Sequence, residues 1–570
     1  MVTPASILKT YWGYNDFRPQ QLSIINAVIE GKDVLTLLPT GAGKSLCFQV
    51  PTMYSKGICL VVSPLIALME DQVKDLQAKN ISAIALGSQL NESEQTALLK
   101  SAVKGEYHFI YCSPEKLAQN SFQQWLVKIP ITLFAIDEAH CISQWGYDFR
   151  PSYRKLNWLK ENFPKIPVIA MTASAIPVVQ EDICKQLGLK QATLITDQFL
   201  RPNLSYQVYN VPVKIHALKT LLSETEGSII IYCNTRNNVM QLSSLLLVYG
   251  FKVGAYHAGI PLEERKKTQA LWMKDQISII ICTSAFGMGI NKGNVRAVIH
   301  YDIPSCIEQY YQEAGRAGRD GHSAKAILLY QNNDWEYWVT VQQKKYPPIE
   351  TIKKVYQDVA DYVQLPIGMG EKQEFIFDFE QFCIQFNWAK IIARNALAWI
   401  QQEGHVKFSD ASFKPSMVQV LGDRESLENF EKQHPIPGAV LQTLLRTYGG
   451  ILDSPRYINE KLVGELLQRD AVFVLKNLHF LSQMGIISFE QKEHQPIVAF
   501  QWNRTSASFM KLDYDHYQLM KKAFIKRIDQ FSQYISGQGL SCRSVFLAKY
   551  FGEKSPNKCG ICDICMTTKK

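Results

Sequence analysis

A glycine-rich segment near the N-terminus contains the residues needed to hold phosphate groups. The run Leu38-Pro39-Thr40-Gly41-Ala42-Gly43-Lys44-Ser45 follows a short apolar stretch and precedes a helical pattern. This context is typical of a phosphate-binding loop, in which backbone N–H groups surround the phosphates. In such a loop Lys44 would meet the phosphate charge and the Ser45 hydroxyl would hold Mg²⁺. Leu38 stands where the full motif has glycine, so the match covers only the Gly-x-Gly-Lys-Ser half.

A pair of carboxylates follows a second apolar run, Leu133 to Ile136, in the segment Asp137-Glu138-Ala139-His140. At the end of a strand beside the glycine loop, Asp137 suits the role of a Mg²⁺ ligand. Glu138 could orient and deprotonate an attacking water. Taken alone, the tetrapeptide is also compatible with a solvated strand end. Because Lys44 follows a strand of the same alternating α/β pattern, we favour a catalytic role for the two carboxylates over a solvated strand end.

A third segment, Gln312 to Asp320, contains two arginines among small residues. Arg316 and Arg319 are three residues apart, so on a helix they would share one face. From there both could reach a transferring phosphate across a domain cleft and couple the nucleotide to domain closure. We place Gln312 in the same catalytic set. A basic surface turn is the alternative, but the small residues around the arginines favour close approach.

Four of the 13 cysteines form a cluster at the C-terminal end, with sixteen, two and two residues between them: Cys542, Cys559, Cys562 and Cys565. Four thiolates satisfy tetrahedral Zn²⁺, and zinc bound there should contribute folding energy. A redox Cys-x-x-Cys pair is the alternative, but it does not explain four cysteines. The odd total and the scatter of the other nine argue against a disulfide framework.

Short β-branched runs alternate with longer helical patterns through the first 335 residues, which predicts parallel sheets wrapped by helices. We expect two α/β domains in tandem, residues 1–200 and 201–340, joined near Arg201-Pro202-Asn203. The predicted strands are Asp33 to Leu38, Ile58 to Ser63, Tyr107 to Cys112, Leu133 to Ile136, Val168 to Met171, Ser228 to Cys233, Lys252 to Ala255, Ile277 to Cys282, Ala297 to Tyr301 and Lys325 to Tyr330.

An internal similarity marks the next region, residues 345–508. The segment from Asn395 to Phe408 matches the segment from Lys476 to Phe489 at a constant offset of 81 residues. A helix that ends at glycine and turns directly into a strand is typical of a winged helix, so we expect two of them. Pro496 to Trp502 is the expected returning wing strand of the second copy. The alternatives are two unrelated amphipathic helices, or winged helices that bind protein instead of DNA.

Composition limits the class of protein. A chain of 570 residues predicts three to four domains. With 46% hydrophobic and 20% charged residues it is ordinary for a globular protein. The charge of +9 and pI near 8.7 favour a polyanionic partner. No apolar run is long enough for a membrane helix and no secretory signal is recognised, so we expect a cytoplasmic protein, associated with the nucleoid if the source is bacterial.

These motifs together resemble the RecQ family of superfamily 2 DNA helicases. The most specific match is the run from Cys141 to Pro151. The other matching segments are Phe17 to Gln21, Gly41 to Ser45, Ser63 to Met69, Asp137 to His140, Ala285 to Lys292 and Gln312 to Gly321. The resemblance covers about residues 1 to 335 and the cysteine-rich tail. It implies two RecA-like motor domains, then a mainly helical region with winged helices, then a helical zinc-binding module at residues 509–570.

The resemblance also assigns further site residues. It implies that Tyr14 and Arg18 flank adenine and that Gln21 binds its edge, which gives a preference for ATP. It implies that an aromatic-rich loop senses single-stranded DNA and passes that signal to the carboxylates. Trp145 and Phe149 there offer faces for base stacking, although buried packing is the alternative for Trp145. The DNA-binding residues implied are Ser143, Gln144, Trp145, Phe149 and Arg150.

The function implied is that of an ATP-dependent 3′–5′ DNA helicase that uses ATP, Mg²⁺ and Zn²⁺, acts on single-stranded and branched DNA, and serves repair and recombination. An RNA helicase and a binding protein with an inactive motor are the alternatives. The chain departs from the family in order, because a long segment separates the second motor domain from the zinc module. That segment, residues 345–508, could also recruit protein partners.

Overall fold

The computed structural model describes residues 3–39, 41–87, 92–146, 148–287, 290, 292–413, 416–491 and 494–567. Five residues of the predicted motifs lie outside this range: Thr40, Tyr147, Met288, Gly289 and Asn291. The chain divides into two compact units. One contains Met1–Gln342 together with Leu519–Lys570, and the other contains Gln343–Gln518.

The first α/β domain has a seven-stranded parallel sheet in the order β3-β4-β2-β5-β6-β1-β7. Its β2 is buried along its whole length, because helices cover both faces of the sheet. The strands are β1 Val34–Leu37, β2 Ile58–Val62, β3 Ala83–Leu86, β4 Phe109–Cys112, β5 Ile131–Ile136, β6 Val168–Thr172 and β7 Thr193–Thr196. The helices are α1 Pro4–Trp12, α2 Gln21–Ile29, α3 Leu46–Ser55, α4 Ile66–Gln77, α5 Glu92–Val103, α6 Pro114–Leu117, α7 Asn120–Leu126, α8 Asn157–Asn162 and α9 Pro177–Leu187.

The second α/β domain has a six-stranded parallel sheet in the order β10-β11-β9-β12-β13-β8. Its strands are β8 Leu204–Asn210, β9 Ser228–Tyr232, β10 Val253–Tyr256, β11 Ile279–Cys282, β12 Val295–His300 and β13 Ala324–Tyr330. Its helices are α10 Lys214–Ser223, α11 Arg236–Val248, α12 Leu262–Met273, α13 Ile307–Ala314 and α14 Asn332–Gln343. All ten strands predicted from the sequence are present, with ends shifted by up to about two residues.

The unit of residues 343–518 contains two three-stranded antiparallel sheets with helices packed against them. Its helices are α15 Ile349–Tyr362, α16 Phe379–Gln385, α17 Lys390–Gln402, α18 Arg424–Gln433, α19 Pro435–Thr447, α20 Glu460–Leu467 and α21 Ala471–Gln483. Its strands are β14 Glu374–Ile376, β15 Val406–Phe413, β16 Met417–Val420, β17 Arg456–Tyr457, β18 Ile487–Glu490 and β19 His494–Phe500. The repeat seen in the sequence is present as two helix–strand pairs, α17–β15 and α21–β18, at the same offset.

The strand pairing in this unit differs from the sequence expectation. β19, which includes Pro496, was expected to return beside β18 as the second wing. Instead β19 pairs with β14 and β15, while β18 pairs with β16. The segment of residues 416–491, which contains the second helix–strand pair, is therefore inserted between β15 and β19. It has a core of its own, built around Val440, Leu478 and Ile487.

The C-terminal segment is helical, with α22 Tyr514–Ser536, α23 Arg543–Tyr550 and α24 Asp563–Thr567. The part of it from Leu519 belongs to the same compact unit as the two α/β domains. Among the residues that the structure describes, no helix is both long and apolar enough to cross a membrane.

The glycines that end α17 and α21 generate a prediction about stability. Gly485 has a φ of +71°, and a Cβ added there meets nothing within 4 Å, so only backbone strain opposes a side chain. Gly485→Ala should therefore destabilise the inserted winged helix by about 1–2 kcal/mol. Native-state hydrogen exchange of the α21 amides measures this loss. Gly449→Ala is the control, because Gly449 also has open space but lies outside the left-handed region. An equal loss in both variants would disprove the capping role.

Candidate active site and metal centre

A cavity of about 450 Å³ lies between the two α/β domains, where strands of the first sheet end. Every residue that the sequence nominated for nucleotide binding or hydrolysis lines this cavity: Tyr14, Arg18, Gln21, Gly41, Gly43, Lys44, Ser45, Asp137, Glu138, Gln312, Arg316 and Arg319. Gln312 and the two arginines come from the second domain, and the others come from the first. The fold thus assembles one site from segments that are far apart in sequence.

The glycine loop is held close to its neighbours. Gly41 and Gly43 have φ values of +84° and +78°. A Cβ at Gly43 would lie 2.6 Å from Nε2 of Gln21, and a Cβ at Gly41 would lie 2.9 Å from Cγ of Arg319. The positive φ favours glycine at both positions, and a side chain there would also displace Gln21 or Arg319.

Tyr14, Arg18 and Gln21, the residues expected to bind adenine, line one part of the cavity, and two of them also support the loop. The Gln21 amide donates to the carbonyl oxygens of Ala42 and Gly43, at 3.0 and 3.1 Å. Its Oε1 accepts from the Arg18 backbone N–H at 2.9 Å. The Arg18 guanidinium donates to the carbonyl of Gly41. Tyr14 is exposed. The Gln21 side chain therefore connects Arg18 to the glycine loop.

Burial and neighbouring charges separate the two carboxylates electrostatically. Burial raises the pKa of Asp137 to about 6, and the adjacent Glu138 charge adds to that rise. Burial alone would raise the pKa of Glu138 as well, but Lys44, His140 and Arg316 hold it below its ordinary value. The Lys44 Nζ lies 3.9 Å from Oε1 of Glu138. Glu138 is thus kept ionised, as a general base must be.

Glu138 adopts a left-handed backbone conformation, with a φ of +47°. This angle is uncommon outside glycine and is concentrated at functional sites. His140 lies beside it: its Nδ1 is 3.4 Å from Oε2 of Glu138 and 2.9 Å from Oγ1 of Thr172. Thr172 is the last residue of β6. His140 therefore lies between Glu138 and the end of β6, hydrogen-bonded to Thr172 and within ion-pair distance of Glu138.

The arginines are buried close to one another. Burial, together with the charges of Arg316 and Arg201, lowers the pKa of Arg319 to about 9. Arg316 donates to the carbonyl of Gly287, and Arg319 to that of Ile290. The Nε atoms of both are buried and, within the described chain, have no hydrogen-bond partner. Buried cations with unused donors are suited to an anionic ligand.

The expectation that these two arginines share a helix face is wrong. α13 ends at Ala314, and Arg316 and Arg319 lie in the turns that follow it. Gly318 adopts a φ of +60°, and a Cβ there would lie 2.8 Å from a backbone oxygen of His322. Tight turns, and not helical periodicity, therefore bring the two guanidinium groups together.

The aromatic loop, Ser143 to Arg150, contains internal supports as well as accessible rings. The buried Ser143 hydroxyl donates to Asp182 at 2.6 Å and accepts from the Trp145 N–H at 3.2 Å. Arg150 donates to the carbonyl of Pro64 at 3.2 Å. Its other terminal nitrogen bonds Asp148 at 3.2 Å.

The remaining nominated residues of this loop, Gln144, Trp145 and Phe149, are half-buried. Trp145 packs against the main core of this unit. The guanidinium of Arg154 lies 5.7 Å from the centre of the Phe149 ring. Ser143 and Arg150 thus hold the loop in place, while the half-buried rings retain accessible surface.

The four nominated cysteines converge, with all Sγ atoms within 4.8 Å of one another. The Sγ of Cys542 is 3.4 Å from that of Cys559 and 3.9 Å from that of Cys562. Zinc–sulfur bonds of 2.3 Å in a tetrahedron require sulfur separations of about 3.8 Å, so the set fits Zn²⁺. None of the four is in a disulfide. The geometry favours a zinc centre over a redox pair.

The metal centre is attached to the second α/β domain. Asp563 accepts from Nε of Arg543 at 2.6 Å and from the backbone N–H of Val208 in β8 at 3.0 Å. The Ser205 hydroxyl donates to the carbonyl of Ile561, between two of the cysteines, at 2.6 Å. The supporting role of Arg543 and Asp563 was not predicted from the sequence. Each directly follows a cysteine of the cluster, Cys542 or Cys562, and this position could have indicated the role.

Comparison with known families gives four matches. A family model described as "DEAD/DEAH box helicase" matches residues 18–182, and one described as "Helicase conserved C-terminal domain" matches residues 213–321. The model "RecQ helicase winged-helix domain, Bacteroidota" matches residues 418–491, the inserted winged helix. The model "RecQ zinc-binding" matches residues 505–566.

Curated relatives agree with these matches. The Haemophilus influenzae protein named "ATP-dependent DNA helicase RecQ" is 44% identical over 336 residues, which are 59% of this chain and 54% of that protein. The Bacillus subtilis "Probable ATP-dependent DNA helicase RecS" is 38% identical over 372 residues, which are 64% of this chain and 73% of that protein. The chain spans about half the length of the Haemophilus influenzae and Pasteurella multocida relatives.

Among solved structures, the DUF1998 helicase MrfA bound to DNA is similar with a TM-score of 0.50 and 18% sequence identity. The match covers 60% of this chain and 51% of that one. At this identity the likeness shows a shared fold of the two α/β domains.

The cysteine cluster generates a prediction about metal content. Cys559→Ser should lower bound zinc well below one ion per chain, because a hydroxyl is a poor substitute for a thiolate ligand. Mass spectrometry of the purified protein measures the metal. Cys184→Ser, a half-buried cysteine outside the cluster, is the matched control and should leave zinc unchanged. Full zinc content in Cys559→Ser would refute the tetrahedral site.

Proposed function

Because the chain belongs to the RecQ family of helicases, we propose that it hydrolyses ATP, moves 3′ to 5′ along single-stranded DNA and unwinds duplexes. The observation that carries this proposal is the single cavity lined by the glycine loop, the paired carboxylates and the arginines of the second domain. Only with both domains does the cavity contain all of these groups. ATP binding there would therefore control how the domains are held against each other.

The residues of the cavity can be given roles. The backbone from Gly41 to Ser45 and the Lys44 ammonium would hold the phosphates. Ser45 and Asp137 would hold Mg²⁺, which supplies charge neutralisation for the phosphates. Glu138, kept ionised by its cationic neighbours, would orient and deprotonate the attacking water.

The second domain would supply the remaining charge. Arg316 and Arg319 would stabilise the charge that develops on the transferring phosphate, with Gln312 beside them. A Cβ at Gly41 would lie 2.9 Å from Cγ of Arg319, so the Arg319 side chain is near enough to the glycine loop to respond to a bound phosphate. Loss of the phosphate would leave buried like charges together, which favours opening of the cleft.

We propose that the aromatic loop is the contact between the motor and DNA. Trp145 and Phe149 offer stacking faces, each worth about 1–3 kcal/mol per base. The loop directly follows the Asp137 to His140 turn, so displacement of either affects the other. Phosphate contacts by the basic side chains of the chain would make DNA binding depend on salt.

The biological setting follows from the family. We propose single-stranded and branched DNA as substrates and a role in repair and recombination, in the cytoplasm or, in a bacterium, at the nucleoid. The winged helices of residues 343–518 would select the DNA structure or recruit protein partners.

Steady-state ATP hydrolysis measured without nucleic acid, with single-stranded DNA and with single-stranded RNA of equal length tests the proposal. Stimulation by DNA alone is expected, because the aromatic loop resembles the loop with which RecQ helicases sense single-stranded DNA. Equal stimulation by both polymers would support an RNA-active helicase. The absence of stimulation by either would leave a nucleotide-binding protein without motor activity and would overturn the proposal.

Replacing the general base separates ATP binding from hydrolysis. Glu138→Gln preserves size and hydrogen bonding but removes the base, so turnover should fall about 100-fold or more while ATP affinity is retained. Equilibrium binding of a fluorescent ATP analogue and single-turnover hydrolysis measure the two quantities. Asp148→Asn, a carboxylate of the neighbouring loop outside the cavity, is the control for charge removal. Wild-type turnover in Glu138→Gln would exclude Glu138 as the base.

A further inference from the structure

We propose that Arg527 of α22 couples the aromatic loop to α13, so that DNA bound at the loop is sensed by the arginine-bearing segment of the second domain. This inference rests on the proposed function, since it requires a DNA-stimulated ATPase. Arg527 lies in the helical part of the zinc module and is not among the residues that line the nucleotide cavity. We describe it as a positioning residue, because it acts through other groups.

Arg527 contacts both elements at once. Its Nη1 donates to the carbonyl oxygen of Trp145 at 3.0 Å. The same nitrogen lies 3.9 Å from Oε1 of Glu308. Both charged side chains are nearly enclosed, with 12% of Arg527 and 3% of Glu308 exposed. An ion pair screened from water to this extent is sensitive to the loss of either partner.

The Glu308 end of this contact belongs to the first turn of α13. Its Oε1 accepts a hydrogen bond from the Tyr550 hydroxyl at 2.8 Å, and Tyr550 is the last residue of α23 in the zinc module. The Oε2 atom is buried and has no hydrogen-bond partner among the described residues. The carboxylate therefore depends on Arg527, Tyr550 and the helix N-terminus for its stabilisation.

α13 provides the connection from Glu308 to the nucleotide cavity. Gln312 is four residues later, on the same side of the helix as Glu308, and it lines the cavity. Arg316 follows in the turn that ends the helix. Because a helix of two turns moves as a rigid element, a displacement at Glu308 reaches Gln312 directly and reaches Arg316 through the turn at the end of the helix.

The Trp145 end of the contact has two anchors and free space beside it. The Trp145 N–H is held by Ser143 of the first domain, and its carbonyl is held by Arg527. A cavity of about 750 Å³ adjoins the residue, lined also by α9 and α22. A base stacking on the Trp145 ring could therefore shift this peptide and break its hydrogen bond with Arg527, which would then contact only Glu308. The two arrangements of Arg527 are what would distinguish the free from the DNA-bound enzyme.

The experiment measures ATP hydrolysis with and without saturating single-stranded DNA in the zinc-loaded full chain. Arg527→Ala should keep basal hydrolysis within about twofold of wild type, while DNA-stimulated turnover falls about tenfold. DNA affinity, measured by fluorescence anisotropy, should change by less than about threefold, as expected for one lost charge. Lys526→Ala is the matched control, because Lys526 lines the same 750 Å³ cavity as Arg527 and its replacement also removes one positive charge. It should retain full stimulation.

Two further variants keep the test decisive if Arg527→Ala folds poorly. Arg527→Lys retains the charge and should recover part of the stimulation, and Glu308→Gln should reduce it. Combining Arg527→Ala with Glu308→Gln should be no worse than the more affected single variant, because both break one path. A purely structural role would instead lower basal and stimulated turnover equally.

The outcomes separate this inference from the proposed function. If wild type is stimulated by DNA and Arg527→Ala is stimulated equally, Arg527 is not the link and the helicase assignment stands. If Lys526→Ala loses stimulation to the same degree as Arg527→Ala, the effect is one of general charge and the inference is overturned. If wild type itself shows no stimulation, the proposed function fails and the inference fails with it.

Discussion

The buried arginine cluster at the cleft is the constraint on which the rest of the site depends. Burial, together with the nearby charges of Arg316 and Arg201, lowers the pKa of Arg319 to about 9. Burying like charges is unfavourable unless an anion compensates them. In the first domain, by contrast, the charge of Lys44 is already balanced by Glu138, and the glycine loop lines the open space of the cavity. An anion at the cleft would thus relieve repulsion in one domain while it satisfies donors in the other, which connects nucleotide binding to the contact between them.

The zinc module stabilises the connection between the two α/β domains. Phe551 stacks on Phe199, which precedes the linker near Arg201, with ring centres 5.1 Å apart. The carbonyl of Phe551 also accepts from the Gln180 amide of the first domain at 3.4 Å, while Asp563 binds β8 of the second. The module therefore contacts both domains where the chain passes from one to the other. Four cysteines far along the chain thus belong to a module that packs against the linker between the two domains.

How much could be predicted from sequence depends on how local each signal is. The central strands were predictable because burial on both faces requires continuous β-branched runs. In the two parallel sheets, the three strands that were missed, β3, β7 and β8, all lie at sheet edges. In β7 half-buried and exposed residues alternate, so the buried apolar run that marks a parallel strand is absent. The site residues were predictable because each motif is contiguous, whereas the ion pair of Arg527 and Glu308 joins residues far apart in sequence and leaves no local pattern.

The insertion of residues 343–518 explains why the zinc module is far from the second α/β domain in sequence but packs against it in the structure. The 81-residue repeat was readable, but pairing of β19 with β15 instead of β18 was not, because both choices give an antiparallel strand of similar composition. Inserting residues 416–491 between two paired strands costs little, since loop-closure entropy rises only slowly with length.

The same argument applies to residues 343–518 as a whole. The ends of this unit meet, because the Tyr517 hydroxyl donates to the carbonyl of Pro347. An insertion whose ends are adjacent can be accommodated at a single point of the surrounding chain. The contacts of the zinc module with β8 can therefore form as if the intervening segment were a short loop.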